Sequence, residues 1–171
     1  MFDPDTLKLA ASVLAIFRSR NWHVATAESC TGGLVAAALT AIPGASEVVE
    51  RGFVVYSNNA KIELLGVPQE TIAAHGAISA ETAAAMARGA VVRAGVDLAV
   101  SVTGIAGPGG GTPEKPLGLV YLGVARRDGD AKVEHHIFSG DRAAVRQAAL
   151  VRALKLLLTE AGTAMAGDAG I

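Results

Sequence analysis

Two short apolar runs, residues 98–102 and 119–122, restrict the possible folds of this chain more than any other pattern in it. Strands with one solvated face alternate apolar and polar residues, whereas continuous apolar strands are typical of sheets that helices cover on both faces. Both runs are far shorter than the ~20 residues that span a bilayer. We therefore expect them near the centre of a sheet that lies between two helix layers.

Helical patterns separate the strand-like runs. Asp3-Pro4 is a typical start for an amphipathic helix over residues 4–20, and Ser79 is a typical cap for a helix that ends near residue 94. Asp128-Gly129 indicates a hairpin, which makes the sheet mixed. The other predicted helices cover residues 31–39, 61–65 with Asn58 as cap, and a last one from Asp141; the other predicted strands cover 24–26, 53–56, 117–126 and 131–138.

These patterns predict an α/β fold, a three-layer α/β/α domain with a mixed, mostly parallel sheet. The length of 171 residues fits one domain. We expect the domain to cover residues 1–160, and we expect the Gly/Ala-rich residues 161–171 to form a disordered tail.

Composition argues against several classes of protein. The chain is 51% hydrophobic and 18% charged, with a net charge of -1 and no basic cluster, so we expect no nucleic-acid partner. No apolar stretch is long enough for a membrane helix, and the N-terminus lacks a secretory signal pattern. The single cysteine cannot form an internal disulfide. These features favour a cytoplasmic protein.

Hydroxyl groups and glycines concentrate where strand-like runs end. Nucleophilic catalysis needs a nucleophile, a base and often an oxyanion donor, and the hydroxyl or thiol candidates beside these loops are Ser29, Cys30, Ser46 and Ser57. The local pattern favours Ser29, because it lies at a strand-to-helix turn with glycines beside it. Ser46 ranks lower by that criterion.

Five motifs occur together in this chain: ESCTGG, RGFVVYSNNAK, HGAIS, TGIAGPGGG and FSGDR. In this order they resemble the C-terminal domain family of the CinA competence/damage-inducible proteins, over residues 7–158. The resemblance implies the three-layer fold of that family. It also implies a nicotinamide-nucleotide amidohydrolase, which converts nicotinamide mononucleotide and water to nicotinic acid mononucleotide and ammonia without a cofactor.

The resemblance further implies a Ser/Lys pair formed by Ser46 and Lys61. Tyr56 precedes Lys61 by five residues, so we expect both to border one pocket, with Tyr56 and Ser29 as oxyanion donors. A lysine has a reference pKa near 10.4, so burial or a nearby cation must lower it before the amine accepts the serine proton. The alternative is that Ser46 only caps a helix and that Lys61 is a solvated helix residue. Tyr56 is then a half-buried strand aromatic.

Substrate-binding residues also follow from the resemblance. Thr31 is expected among the active-site hydroxyls, and Gly32 and Gly33 offer backbone N–H groups to an anion at a helix start. Thr103 and Gly104 begin a glycine-rich loop that fits neither the Walker A nor the GxGxxG spacing. Arg142 is expected to bind a phosphate or carboxylate, or else to be an exposed residue of a first helical turn.

Two alternatives stay open. Glu28, Lys61 and Cys30 match the residue types of a nitrilase-like amidase, although lone cysteines are mostly buried apolar groups. The second alternative is that the chain is a non-catalytic pyridine-nucleotide-sensing or competence/damage-related interaction module. The four histidines have no metal-ligand spacing, so we expect no metal. Family analogy favours a homo-oligomer, with a dimer as the first expectation.

Overall fold

Six helices and five strands make up the part of the chain that the computed structural model describes, which is residues 2–167, with side chains through residue 162. A single 3₁₀ turn, Ala45–Glu47, precedes the second strand. The strands are β1 (Val24–Glu28), β2 (Val49–Val54), β3 (Leu98–Gly104), β4 (Leu119–Arg126) and β5 (Lys132–Ile137). The helices are α1 (Pro4–Ser19), α2 (Leu34–Thr40), α3 (Asn58–Leu65), α4 (Gln69–His75), α5 (Ala80–Ala94) and α6 (Arg142–Gly167).

The strands form one five-stranded sheet in the order β2-β1-β3-β4-β5. β1 pairs in parallel with both β2 and β3, whereas β4 is antiparallel to β3 and to β5. The chain therefore leaves β1 toward one side for β2 and later crosses to the other side for β3. Such a change of direction creates a crevice at the carboxyl ends of the parallel strands.

Helices cover both faces of the sheet. On one face, α1, α2 and α6 pack on a core that includes Phe17, Leu122 and Leu154. On the other face, α3 and α5 pack on a smaller core around Met86 and Val55. β1 and β3 contribute to both cores, because every residue of β1 and all but the last residue of β3 are buried. The predicted three-layer α/β/α fold with a mixed sheet is confirmed.

Several local expectations are also confirmed. Asp3 caps α1 by accepting a hydrogen bond from the Thr6 amide, and Ser79 caps α5 in the same way through the Thr82 amide. The Asp128-Gly129 turn joins β4 and β5 as an antiparallel hairpin.

Other expectations need correction. β2 covers Val49–Val54, not residues 53–56, because its register follows β1 from Val24 onward. Ser57, not Asn58, caps α3, since its side chain accepts from the Ala60 amide. α4 was not predicted. α6 continues to Gly167, past the expected domain end at residue 160. The expected tail over residues 161–171 stays a prediction, and residues 168–171 lie outside the described part.

Between residues 2 and 167, no helix is both long and apolar enough to cross a membrane.

Candidate active site

The carboxyl ends of the three parallel strands bring several of the predicted site residues together. Ser29 directly follows β1, Tyr56 follows β2, and Thr103 is near the end of β3. They line a pocket of about 180 Å³ with Lys61 of α3 and Arg142 of α6. Two helices that are far apart in sequence, α3 and α6, therefore meet the strand ends at one place.

Lys61 is an unusual lysine because its side chain is only 1% exposed. Its Nζ lies 2.8 Å from the backbone oxygen of Val55, 3.1 Å from that of Tyr56 and 3.1 Å from Ser29 Oγ. Burial lowers the pKa of this amine from its ordinary value, since the buried environment disfavours the charged form; the nearby Cys30 opposes this shift. The expectation of a lysine tuned toward the neutral form is supported, and the solvated alternative is wrong.

The three contacts of Lys61 suit two protonation states. A protonated ammonium donates one hydrogen to each of the three oxygens. A neutral amine has two hydrogens and one lone pair. When the two carbonyls of residues 55 and 56 accept those hydrogens, the lone pair is left for the hydroxyl of Ser29, which then donates to Nζ. The backbone thus orients Lys61 as an acceptor for the Ser29 proton.

Ser29 is held in place by its neighbours on both sides. Its amide donates to the Val102 carbonyl of β3 over 2.9 Å, and its own carbonyl accepts from the Gly32 amide. The preceding residue, Glu28, is 1% exposed, and its carboxylate accepts from Thr26 Oγ1 and from three backbone amides at the start of α2. The turn that carries Ser29 is therefore fastened to β3 and to α2.

These contacts correct the expectation for the glycines. The Gly33 amide donates to Glu28 Oε2 over 3.0 Å and the Gly32 amide donates to Ser29, so neither N–H group is open to a substrate anion. Their role is conformational: Gly33 has φ of +96° at the N-cap of α2, a conformation that favours glycine.

Thr31 does not join the other candidate residues at the pocket. Its side chain is fully buried, Oγ1 has no hydrogen-bond partner among the described residues, and it is not part of the pocket wall. Its carbonyl accepts from Arg146 of α6. That contact ties the backbone of the Ser29 turn to α6.

The predicted pair of Ser46 and Lys61 is not present. Ser46 is an exposed residue of the 3₁₀ turn before β2, whereas Lys61 lies beyond the opposite end of that strand. A six-residue strand such as β2 spans roughly 20 Å at ~3.3 Å per residue. The turn is tied to the end of α1 by Arg18, which donates to Glu47 and Gly44. The structure brings Lys61 to Ser29 instead.

Thr103 and Gly104 line the pocket, but contacts within the protein explain both residue types. Thr103 Oγ1 donates to the Ala77 carbonyl over 2.8 Å and so holds the loop between α4 and α5 against the site. A Cβ on Gly104 would lie 2.6 Å from the Leu119 carbonyl of β4, so only glycine fits there. Ala77 and Ile78 complete this wall. Their HGAIS motif was noticed in the sequence without a role being assigned to it.

Arg142 closes one side of the pocket. Its Nη2 donates to the Tyr56 hydroxyl over 3.2 Å and its Nη1 donates to the Gly107 carbonyl over 2.9 Å. Because the Tyr56 oxygen accepts from the guanidinium, its own O–H stays free to donate elsewhere. Tyr56 is 61% exposed, so the alternative of a half-buried aromatic is wrong and its hydroxyl is accessible to a ligand.

The nitrilase-like alternative loses its support. Cys30 is buried, and burial raises the pKa of its thiol to about 11, so the thiolate needed for attack is scarce at neutral pH. The Glu28 carboxylate, which would act as the base, is occupied by the start of α2. Over the described residues, no group of three or more His, Cys, Asp or Glu side chains is placed to hold a metal ion.

A cavity of about 960 Å³ on the face of the sheet that α3 and α5 cover is larger than this pocket. It lies between α3, α5 and β5, and its wall includes Glu81, Arg88 and Arg93. None of the predicted site residues contributes to it. Chemistry, rather than size, therefore identifies the small pocket as the candidate active site.

Comparison with known proteins agrees with this fold and these motifs. The model of the CinA C-terminal domain matches residues 6–161. The nicotinamide-nucleotide amidohydrolase PncC of Enterobacter agglomerans is 49% identical over 153 residues, which are 90% of this chain and 93% of that protein. The crystal structure of the competence/damage inducible protein CihA from Agrobacterium tumefaciens has a TM-score of 0.91 at 46% identity, over 93% of this chain and 97% of that one.

Some relatives are much longer. A putative competence-damage inducible protein of Caldicellulosiruptor bescii is 48% identical over 157 residues, which are 92% of this chain but 38% of that protein. The chain thus spans little more than a third of that relative and nearly all of the Enterobacter one. Since the family model covers most of the residues and the relatives share almost half of them, this chain belongs to the CinA C-terminal domain family.

Proposed function

We propose that this protein is a nicotinamide-nucleotide amidohydrolase that deamidates nicotinamide mononucleotide through a dyad of Ser29 and Lys61. The observation that carries the proposal is the buried Lys61 amine 3.1 Å from Ser29 Oγ, with two carbonyls orienting it. Relatives that match nearly their whole length bear the name of this activity, among them PncC of Escherichia coli at 47% identity.

The chemistry follows from the contacts. Lys61 in its neutral form takes the Ser29 proton while Oγ attacks the carboxamide carbon. The oxyanion that forms accepts a hydrogen bond from the Tyr56 hydroxyl, which Arg142 polarises. Lys61 then returns the proton to the nitrogen, and ammonia leaves from an ester on Ser29. Water attacks this ester with Lys61 as base, so the acid product leaves and Ser29 regains its proton.

This assignment replaces Ser46 as the nucleophile. Ser46 and Lys61 lie at opposite ends of β2, a strand of roughly 20 Å, so Ser46 cannot transfer its proton directly to the lysine, since general bases act within about 2.6–3.2 Å or through one water. Ser46 is therefore the natural control for Ser29. The two substitutions change the same residue type at opposite ends of the parallel strands.

The test is to incubate the protein with nicotinamide mononucleotide and to measure ammonia and nicotinic acid mononucleotide. We expect turnover by the wild type, a loss of at least about a thousandfold in kcat for Ser29→Ala and Lys61→Ala, and a change within about twofold for Ser46→Ala. Turnover that survives Ser29→Ala contradicts the dyad. Stoichiometric binding of the nucleotide without ammonia release contradicts the enzyme and supports the sensing module. The expected homodimer is a separate proposal, which light scattering tests.

A further inference from the structure

The cavity of about 960 Å³ is a groove along the outer side of α5. This helix forms the floor, the end of α3 and the start of α4 form one wall, and β5 forms the other. Apolar side chains face the groove from all sides: Leu65 of α3, Val92 of α5 and Val133 of β5. Val92 is 78% exposed, and no other large apolar side chain of the described residues is as exposed. A single copy of the chain therefore leaves an apolar face uncovered here.

The floor of the groove has a regular pattern. Five residues that recur at intervals of three and four positions, and that all contribute to the groove, lie on one side of α5: Glu81, Ala84, Ala85, Arg88 and Val92. The two alanines lie midway between Glu81 and Arg88, which are roughly 10 Å apart along the axis at ~1.5 Å per residue. The distance between packed helices depends on the side chains at the contact, so alanines let a second helix come close.

Charge indicates which helix fits the groove. Glu81 and Arg88 carry opposite charges on either side of the two alanines, so the pattern is complementary to its own reverse. When a second copy of α5 lies antiparallel across a two-fold axis at the alanines, Glu81 of each copy faces Arg88 of the other.

Both charges are available for such pairs. Arg88 has no ion-pair or hydrogen-bond partner among the described residues of its own chain. Glu81 Oε1 lies 3.6 Å from His75 Nδ1, and both side chains are about half exposed. Exposed pairs of this kind contribute little to stability, so that contact does not hold Glu81 back from a stronger partner.

We propose that this groove is the interface of a homodimer, in which α5 packs antiparallel against α5 of a second copy. The inference gives a surface to the homodimer proposed above and does not depend on the amidase. It places the two-fold axis at Ala84 and Ala85, with one pair of Glu81 and Arg88 on each side of it. The groove and the strand-end pocket share no wall residue, so the pairing uses no residue of that pocket.

Charge exchange tests the reciprocal pairs. Glu81→Arg or Arg88→Glu sets like charges against each other at two places in the dimer. Each should raise the dissociation constant of the dimer at least about tenfold, measured by light scattering over a dilution series. The double variant restores opposite charges and should return to within about threefold of the wild type. Lys155→Glu, on α6 at the opposite face of the sheet, is the control and should leave the constant unchanged.

The outcomes separate this inference from the other proposals. A double variant that dimerises no better than the single variants overturns the reciprocal pairs and with them the antiparallel packing. A wild-type dimer that neither single substitution weakens overturns the interface and leaves the homodimer on another surface. A monomeric wild type overturns the interface and the homodimer together, whereas the amidase proposal depends on turnover alone.

Cross-linking gives a second readout, which tests position rather than charge. A cysteine in Ala85→Cys should lie beside its counterpart at the two-fold axis, within the ~4.4–6.8 Å between Cα atoms that a disulfide spans. The native Cys30 is buried, and burial raises the pKa of its thiol to about 11, so it should not compete. Mild oxidation should convert most of this variant to covalent dimers. Ala15→Cys, at an exposed position of α1, should stay monomeric under denaturing, non-reducing conditions. Equal cross-linking of both variants, or none in Ala85→Cys, overturns the proposal.

Discussion

At the scale of single residues, the site depends on where two side chains lie. Lys61 has its burial because α3 begins directly after β2 and carries the side chain back beneath the strand ends. Ser29 has its position because the chain turns sharply between β1 and α2. An exposed serine at the other end of β2, such as Ser46, cannot reach Lys61. Which serine meets Lys61 thus depends on strand direction as much as on residue type.

The rate of the proposed reaction should rise with pH. Lys61 must be neutral to accept the Ser29 proton, and burial lowers its pKa from 10.5. The active fraction therefore grows as pH increases through this lowered pKa, and the ascending limb of kcat/KM should lie below that of an ordinary lysine. The measurement is kcat/KM for nicotinamide mononucleotide from about pH 6 to pH 10.

Lys61→Arg provides the control for that profile. An arginine stays protonated over the whole range, so this variant should have no activity and no recovery at high pH. A flat wild-type profile, or activity of the arginine variant that increases with pH, would show that another group accepts the proton.

At the scale of elements, the buried Glu28 carboxylate joins β1, the Ser29 turn and α2. Both of its oxygens accept: Oε1 from Thr26 Oγ1 and the Ala36 amide, and Oε2 from the amides of Gly33 and Val35. A negative charge is also favourable at the N-terminus of a helix. In the proposed reaction Glu28 is thus a positioning residue, which acts on the substrate only through Ser29.

Glu28→Gln should lower kcat with little change in KM. In one orientation the NH₂ group of the glutamine faces the Ala36 amide, and in the other it faces the amides of Gly33 and Val35. Those N–H groups lose their acceptor, so we expect the Ser29 turn to shift. We expect kcat to fall about 10- to 100-fold, as small misplacements of reacting groups do, with a lower thermal midpoint as well.

The matched control is Glu47→Gln, the same isosteric change in the exposed turn before β2, at the opposite end of the parallel strands. It should leave kcat unchanged, because exposed ion pairs contribute little. Wild-type kcat in Glu28→Gln would show that the cap does not position Ser29.

At the scale of the whole molecule, the buried amine affects folding stability as well as rate. Lys61 has a lower pKa in the folded protein than the ordinary 10.5 of an unfolded chain. Between these two values the unfolded state binds more protons, so the free energy of unfolding rises with pH. The stabilisation is present above the unfolded pKa and is lost as pH falls through the folded one.

Lys61→Met should remove this dependence. Denaturant unfolding of the wild type and the variant, measured at a series of alkaline pH values, should show the wild type gaining stability relative to the variant as pH rises. Other titrating groups are common to both proteins and cancel in the difference. A constant difference across the range would mean that the Lys61 pKa is the same in the folded and unfolded states.

Much of the architecture was predictable because local rules determine it. The apolar runs predicted the buried strands, and the Asp3, Ser79 and Asp128-Gly129 signals predicted caps and a hairpin that the structure contains. Strand limits were less predictable: β2 extends over exposed residues such as Glu50 and Arg51 because pairing with β1 overrides their weak strand preference. Nothing in the local sequence specifies that partner.

The site was predictable in part. Glycines at a strand-to-helix turn favoured Ser29, and this local argument agrees with the contact to Lys61. The resemblance predicted Ser46 as the partner of Lys61, but the structure places Ser46 at the other end of β2. Sequence order does not tell which end of the parallel strands a serine reaches. The burial of Lys61 was also hidden, because polar and apolar residues are mixed around it in α3 with little amphipathic pattern.

The distance of residue 46 from the pocket has a practical consequence. The sole thiol of the chain, Cys30, is buried and has a raised pKa, so maleimide reagents should react with it slowly at neutral pH. Ser46→Cys would then introduce a readily labelled position near the amino ends of the parallel strands, opposite the candidate active site. A fluorophore or a surface tether attached there would leave that site facing the solution, so immobilised molecules would all present the same open end to substrate.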